Sequence, residues 1–216
     1  MTWTTGMIVL ALLAGAALVA GRRLGARRLA AVSAWAEARR WTCRRGPDRR
    51  IGLDLLELPL PSDGPAVARH LVEGDLDGRR VRVFDLTVGP GADGPADRTT
   101  RHTCALVAVD MPTVPMCLRP RDQHDRPLPD LGCRAEPAAG WEAAATDQAW
   151  LDDLLTGPTA RHALGGDPWR LETGGWWCLA AAPGTLPVDR LDDLVAHAAG
   201  FVDRIPADVR RRMLGR

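Results

Sequence analysis

The order of elements along the chain predicts an α+β fold, with an N-terminal transmembrane helix followed by an antiparallel sheet packed against two to three helices. Three observations carry this reading. An uncharged apolar run opens the chain, segments of alternating polarity separated by turn signals fill residues 70–119, and the apolar spacing becomes helical after residue 147. Strands first and helices later place the helices on one face of the sheet. No internal repeat is present.

Residues 1–21 carry no charged side chain and contain the run MIVLALLAGAALVA, long enough for a helix to cross a hydrocarbon core of roughly 30 Å. Ala14-Gly15-Ala16 resembles a signal-peptidase site, but signal peptides carry positive charge before the apolar run, and here it all follows. The expectation is a single membrane span with the N-terminus outside, Trp3 at the outer interface and the rest of the chain in the cytoplasm.

Charge is strongly segmented. The total is only +1, yet residues 22–50 hold ten Arg against Glu37 and Asp48. Residues 51–209 hold 25 acids against 14 Arg, and four further Arg lie in a basic tail over residues 210–216. All 28 basic residues are Arg. Residues 22–41 read as a helical continuation of the span. The pairs Arg22/Arg23, Arg27/Arg28 and Arg39/Arg40 are expected at the headgroups, where each basic residue gains roughly 1 kcal/mol from an anionic leaflet. The bilayer and its anionic headgroups are therefore expected partners. Nucleic acid is not, because the basic patch lies against the membrane and the body is acidic.

Gly46-Pro47 and the Pro-rich stretch 58–64 break the chain before an α+β domain over residues 51–209. His70–Leu76 and Arg79–Val88 flank Asp77-Gly78, a two-residue hairpin signal. Arg101–Asp110 is the next strand, and Val114–Arg119 a short edge strand between prolines. Asp147 caps a helix reaching Thr156, and Pro158–Leu164 forms a second. Trp169–Glu172 and Trp176–Ala182 read as a hairpin across Gly174-Gly175. Val188, Leu191, Val195, Ala198, Phe201, Val202 and Ile205 mark the last helix. On it Asp193 and His197 are spaced as an exposed pair.

If the loop over residues 89–100 closes symmetrically, Val83 faces Leu106 and Asp85 faces Cys104. Asp85, His102 and Cys104 then share one sheet face, the raw material of a Cys/His/acid catalytic site. A bulge at Val83-Phe84 accounts for the same pattern without chemistry. Trp169, Trp176 and Trp177 offer an aromatic ligand surface or a hairpin pressed on the core. Five cysteines at 43, 104, 117, 133 and 178 show no C-x-x-C, so no metal site or disulfide framework is expected, and no cofactor. The scattered ligands of His102-Thr-Cys104 and Asp122-Gln-His124-Asp125 lack metal-site spacing. Gly89-Pro-Gly-Ala-Asp-Gly94 matches G-x-G-x-x-G, but Pro95 and a polar run replace the required helix.

Four segments carry a family resemblance: Gly74-Asp-Leu-Asp-Gly-Arg-Arg-Val-Arg-Val-Phe-Asp85, Ala105-Leu-Val-Ala-Val-Asp-Met-Pro112, Arg119-Pro-Arg-Asp122 and Phe201-Val-Asp-Arg-Ile-Pro206. With the anchor and the Arg-rich stretch, the chain resembles a group of uncharacterised actinobacterial single-pass membrane proteins with one α+β domain. The resemblance implies location and fold; it carries no activity and no catalytic residues. Three functional readings follow: an interaction or scaffolding domain presenting its surface to a protein partner at the cytoplasmic face, a lipid or small-ligand sensor, and a Cys/His-dependent enzyme.

Overall fold

The computed structural model describes residues 2–48, 51, 55, 57–59, 66–89, 99–123 and 128–215. Along the first helix, α1 (Thr2–Ala38), side chains are described from Gly21 onward and at Met7, Ala14, Gly15 and Val19, so the expected place of Trp3 lies outside the described side chains. Among the described residues no helix is long and apolar enough to cross a membrane. The side chains of residues 8–13, 16–18 and 20, the bulk of the apolar run, lie outside them.

The C-terminal end of α1 belongs to the folded body. Val32, Trp35 and Ala36, spaced three and four apart, are buried in the main core. The helix stops in a two-bond reversal: the Arg40 N–H donates to the Glu37 carbonyl (3.0 Å) and the Trp41 N–H to that of Ala36 (2.9 Å), with Arg40 at φ 59. Trp41 then folds back over the sheet, edge-on to Trp35 with ring centroids 5.4 Å apart, and donates from Nε1 to the Asp75 carbonyl (3.1 Å). Its indole lies so close over Gly74 that a Cβ there would come within 2.2 Å of the ring.

The strands are β1 (Thr42–Arg44), β2 (Ala66–Leu76), β3 (Arg79–Val88), β4 (Thr100–Pro120), β5 (Cys133–Ala135), β6 (Trp141–Ala145) and β7 (Arg170–Pro183). They form one antiparallel sheet in the order β1-β2-β3-β4-β6-β5, and β7 also pairs with β4. The 21-residue β4 organises it: β7 runs along one edge, and β3 and β6 share the other. The Asp77-Gly78 turn is as expected, with both residues at positive φ and Leu76 paired to Arg79.

Two strand expectations are corrected. Val114–Arg119 is the second half of β4, and the prolines mark irregular pairing where β4 crosses residues 108–116. Gly174-Gly175 does not reverse the chain: β7 is one strand, bulged where Gly175 (φ 54) stands opposite Thr113, whose hydroxyl donates to the Gly175 carbonyl (3.0 Å). A tight turn and a bulge both use the positive φ that glycine tolerates, so the dipeptide alone does not separate them.

Helices α2 (Gln148–Leu154), α3 (Gly157–Gly165), α4 (Leu191–Asp203) and α5 (Ala207–Leu214) complete the fold. Asp147 caps α2, its carboxylate accepting from the Trp150 N–H (3.1 Å). The 210–216 stretch is largely helix: Arg210 pairs with Asp110 (2.5 Å) and Arg212 with Asp153. Both faces of the sheet are covered. The α1 end and α2–α5 pack on one, over Val81, Val83, Ala105 and Val107. On the other, Ile51, Leu55 and Leu58 pack over Leu71, Phe84, Leu86, Leu106 and Leu179. One-sided covering fails because β3 and β4 are apolar on both faces, and neither can be left in water without losing roughly 2 kcal/mol per large side chain.

Candidate functional site

The first consequence of the register concerns Asp85. Observed pairs are Val83 with Ala105, Phe84 with Cys104, Asp85 with Thr103 and Leu86 with His102. This is one residue away from symmetric closure of the loop, whose residues 90–98 lie outside the described set together with most of the G-x-G-x-x-G segment. A one-residue slip reverses every facing relation. Cys104 therefore sits in the second core with Phe84 and Leu86, His102 shares its side of β4, and Asp85 lies on the helix-covered face. The Asp85/His102/Cys104 constellation is not assembled. The bulge expected at Val83-Phe84 is also absent, since β3 pairs with β4 without interruption.

Burial pushes the Cys104 thiol well above its usual range, and the charges of Glu172 and Asp85 add to that. Burial likewise pushes Cys117 up to about 12 and raises Cys178. All five cysteines are free thiols. Among the described residues no group of three or more His, Cys, Asp or Glu is placed to hold a metal ion.

What the register builds instead is a polar node between α1 and the sheet. Arg28 approaches Asp85 with two donors, Nη2 to Oδ1 (3.1 Å) and Nε to Oδ2 (3.2 Å). Thr103 donates its hydroxyl to Oδ1 (2.9 Å) and itself accepts from the Leu186 N–H (2.9 Å). His70 Nδ1 lies 2.9 Å from Oδ2. A carboxylate can only accept, so the proton belongs on Nδ1. Burial alone would raise the Asp85 pKa, but the hydrogen bonds from Arg28, His70 and Thr103 and the charge of Arg28 outweigh it and lower it. His70 reaches the node because β2 carries an extra residue between Arg69, opposite Asp85, and Val72, opposite Val83. His70 takes φ 54 within that bulge, a conformation seldom adopted by non-glycine residues outside special sites.

Beside the node opens a cleft of about 650 Å³, lined by Gly21, Arg22, Gly25, Ala26 and Leu29 of α1 and by Gly46, Arg69 and His70 of the body. Of the arginines expected at the headgroups, Arg22, Arg23 and Arg27 are exposed, and Arg28 is bound to Asp85. Arg39 and Arg40 belong elsewhere: the helix rise sets Arg39 about 27 Å from Gly21 along α1. There Arg39 donates to Asp192 at the start of α4 (2.8 Å) and lies 4.6 Å from the Trp35 ring centroid.

The tryptophans do not form one surface either. Trp169 is in the main core against His197, Trp177 is in the second core under Arg82, and Trp176 alone is exposed, at 53%. His197 does not pair with Asp193, which binds Arg190; it is buried on the inner side of α4. No sequence motif marks His70 or Arg69. The signal that bears on them is an alternation in β2 that cannot hold one phase from Ala66 to Leu76.

The fold and site define an α+β domain with an antiparallel sheet, joined to a long N-terminal helix by an Arg–Asp–His–Thr node. No protein-family profile matches the sequence, and no curated protein matches it significantly. Among solved structures, the domain is similar to the mycobacterial trehalose monomycolate transport factor A, TtfA, with a TM-score of 0.62 at 14% identity over 82% of this chain and 94% of that one. The likeness is one of fold.

Proposed function

We propose that this chain is a membrane-anchored, non-enzymatic interaction domain held at the cytoplasmic face, where it serves as an accessory factor to a membrane transport assembly. The observation that carries the reading is the continuity of α1. Its 37 residues form one helix of about 55 Å, and a bilayer core takes roughly 30 Å of that. The remainder is built into the body through Arg28–Asp85, Arg39–Asp192 and the burial of Val32, Trp35 and Ala36. An anchor built this way fixes the orientation of the domain relative to the membrane, which suits a part that must meet an integral partner. The fold shared with a protein named as a transport factor supports the same class of role.

The test compares the full chain with a version lacking residues 1–21, which keeps the core-forming turns of α1. The full chain is expected to resist carbonate extraction from membranes, and the shortened one to be released while keeping its tryptophan fluorescence. Membrane-impermeant maleimide is expected to label Cys43 and Cys133 only after lysis. Proximity labelling from the full chain is expected to enrich integral transport proteins. Extraction of the full chain by carbonate, labelling in intact cells, or identical proximity profiles for the two versions would each count against the proposal.

A further inference from the structure

We propose that the cleft between α1 and β2 binds the phosphate-bearing headgroup of an anionic lipid in the inner leaflet. This rests on the membrane-anchored reading above and adds a ligand class and a place to it. The shape comes from the helix. Val32, Trp35 and Ala36 are the part of the inward face of α1 that touches the core, and the same stripe continues toward the N-terminus through Leu29, Ala26, Gly25, Arg22 and Gly21, which line the cleft. A Cβ built on Gly21 or Gly25 would meet nothing within 4 Å, so the body leaves this space unfilled. The volume of about 650 Å³ is within the range of small-molecule sites.

Charge identifies the ligand. Arg28, Arg39, Arg44, Arg79, Arg82 and Arg119 are each paired with an acid. Arg22 and Arg69, on opposite walls of the cleft, have no acidic partner among the described residues. Asp85, the half-buried carboxylate that holds His70 of the cleft wall, already accepts from Arg28, His70 and Thr103. His70 contributes a third nitrogen-bearing group to the wall, fixed in place through Nδ1. Guanidinium groups present planar forks of donors that match phosphate oxygens.

Position selects a lipid over a free anion. Gly21 and Arg22 are the first residues beyond the apolar run, and Gly25 and Leu29 lie about 6 and 12 Å further along α1. With the run in the bilayer, the mouth of the cleft stands at the depth of the lipid phosphates.

The experiment uses the purified full chain in neutral detergent, titrated with phosphatidylglycerol or phosphatidylcholine of matched acyl chains and read by native mass spectrometry. One phosphatidylglycerol per chain is expected to be retained in preference to phosphatidylcholine. R69Q removes one fork, and G25L fills the cleft without changing charge. R69Q is expected to lower phosphatidylglycerol occupancy about fivefold, the equivalent of roughly 1 kcal/mol for one basic contact, and G25L to lower it by at least as much by occupying the space of the headgroup. R23Q and R27Q, on exposed α1 positions outside the cleft, are expected to change it less than about twofold. Equal losses in all four variants would reduce the effect to general attraction by the collar and overturn the proposal. Unchanged occupancy in R69Q and G25L would overturn it too, as would displacement of the lipid by millimolar glycerol 3-phosphate, which would make the site one for free phosphate. Carbonate resistance without phosphatidylglycerol preference removes the cleft proposal alone, whereas carbonate extraction of the chain removes the anchor.

Discussion

His197 gives the fold a defined acid sensitivity. It is 6% exposed on the inner side of α4, stacked on His162 of α3 with ring centroids 5.1 Å apart and edge-on to Trp169, just before β7, at 5.5 Å. Its carbonyl is taken by His162 Nε2 (2.9 Å), and its own Nε2 has no hydrogen-bond partner among the described residues. Burial, reinforced by His162 and partly opposed by Asp167, pushes its pKa down to about 4. The folded protein therefore keeps this ring neutral, while the unfolded chain protonates it near the ordinary value of 6.5. Below 6.5 the unfolded state binds the extra proton. Stability is full above that pH, falls as pH drops toward 4, and loses nothing more from this group below it. Linkage over that interval gives a loss of about 2 kcal/mol between pH 7 and pH 5, rising to roughly 3 kcal/mol at the limit. H197F keeps a ring in the apolar site and removes the proton acceptor. Urea unfolding of the full chain in neutral detergent, followed by tryptophan fluorescence at the two pH values, should show the loss in the natural chain and less than about 0.5 kcal/mol of it in H197F. The depressed carboxyl of Asp85 adds its own loss only as pH falls through and below 3.8, outside this window. An equal loss in both proteins, or a gain in stability on acidification, would refute the assignment.

Three other outcomes are expected. D85N leaves the donors of Arg28, His70 and Thr103 facing an amide and should cost about 2 kcal/mol in the same assay, with R28Q adding little on top; a cost below about 0.5 kcal/mol would deny the node a role in joining α1 to the sheet. G74A forces the Trp41 indole off β2 and should cost about 1–3 kcal/mol with a red shift in emission, and an unshifted spectrum would contradict the contact. Iodoacetamide at neutral pH should modify the half-exposed Cys43 and Cys133 and leave Cys104, Cys117 and Cys178 intact until unfolding; mass spectrometric detection of early Cys104 alkylation would contradict its burial.

The parts of the fold legible in the sequence are those in which local chemistry and tertiary demand agree. Asp77-Gly78 has one good solution, Asp147 caps the helix it precedes, and the 3.6-residue spacing from Leu191 to Val202 fits α4. The candidate site was missed because it depends on a single residue of register. Val81, Val83, Ala105, Leu106 and Val107 satisfy an apolar match in either pairing, since both faces of the sheet are buried and hydrophobicity does not distinguish them. Only the length of the loop after Val88 decides whether Asp85 meets Cys104 or Thr103. The node needs two further long-range events, a bulge that turns His70 inward and a helix 57 residues earlier in the chain that delivers Arg28. The helix leaves no local pattern that points to Asp85, and the bulge leaves only an alternation in β2 that changes phase between Arg69 and Val72.

The same geometry changes how the basic collar is understood. As a sequence, residues 22–50 form one positive block. As a helix, α1 divides it by height and by face: Arg28 is bound to Asp85, Arg39 is bound to α4, Arg40 terminates the helix, and Arg22, Arg23 and Arg27 are left exposed at the end nearest the apolar run. The N-terminal boundary of the folded domain consequently cannot fall at residue 50. A cut there would strip Val32, Trp35 and Ala36 from the core and leave Asp85 without its guanidinium, so its phenotype would report unfolding as well as loss of the apolar segment. A cut after Gly21 separates the two effects. If the cleft holds a headgroup as proposed, the lipid touches α1 on one wall and the Arg69–His70 bulge on the other, the same two elements that Asp85 joins. Membrane contact and the integrity of the body would then meet at one carboxylate, and D85N should weaken lipid retention together with stability, whereas R69Q should weaken retention alone.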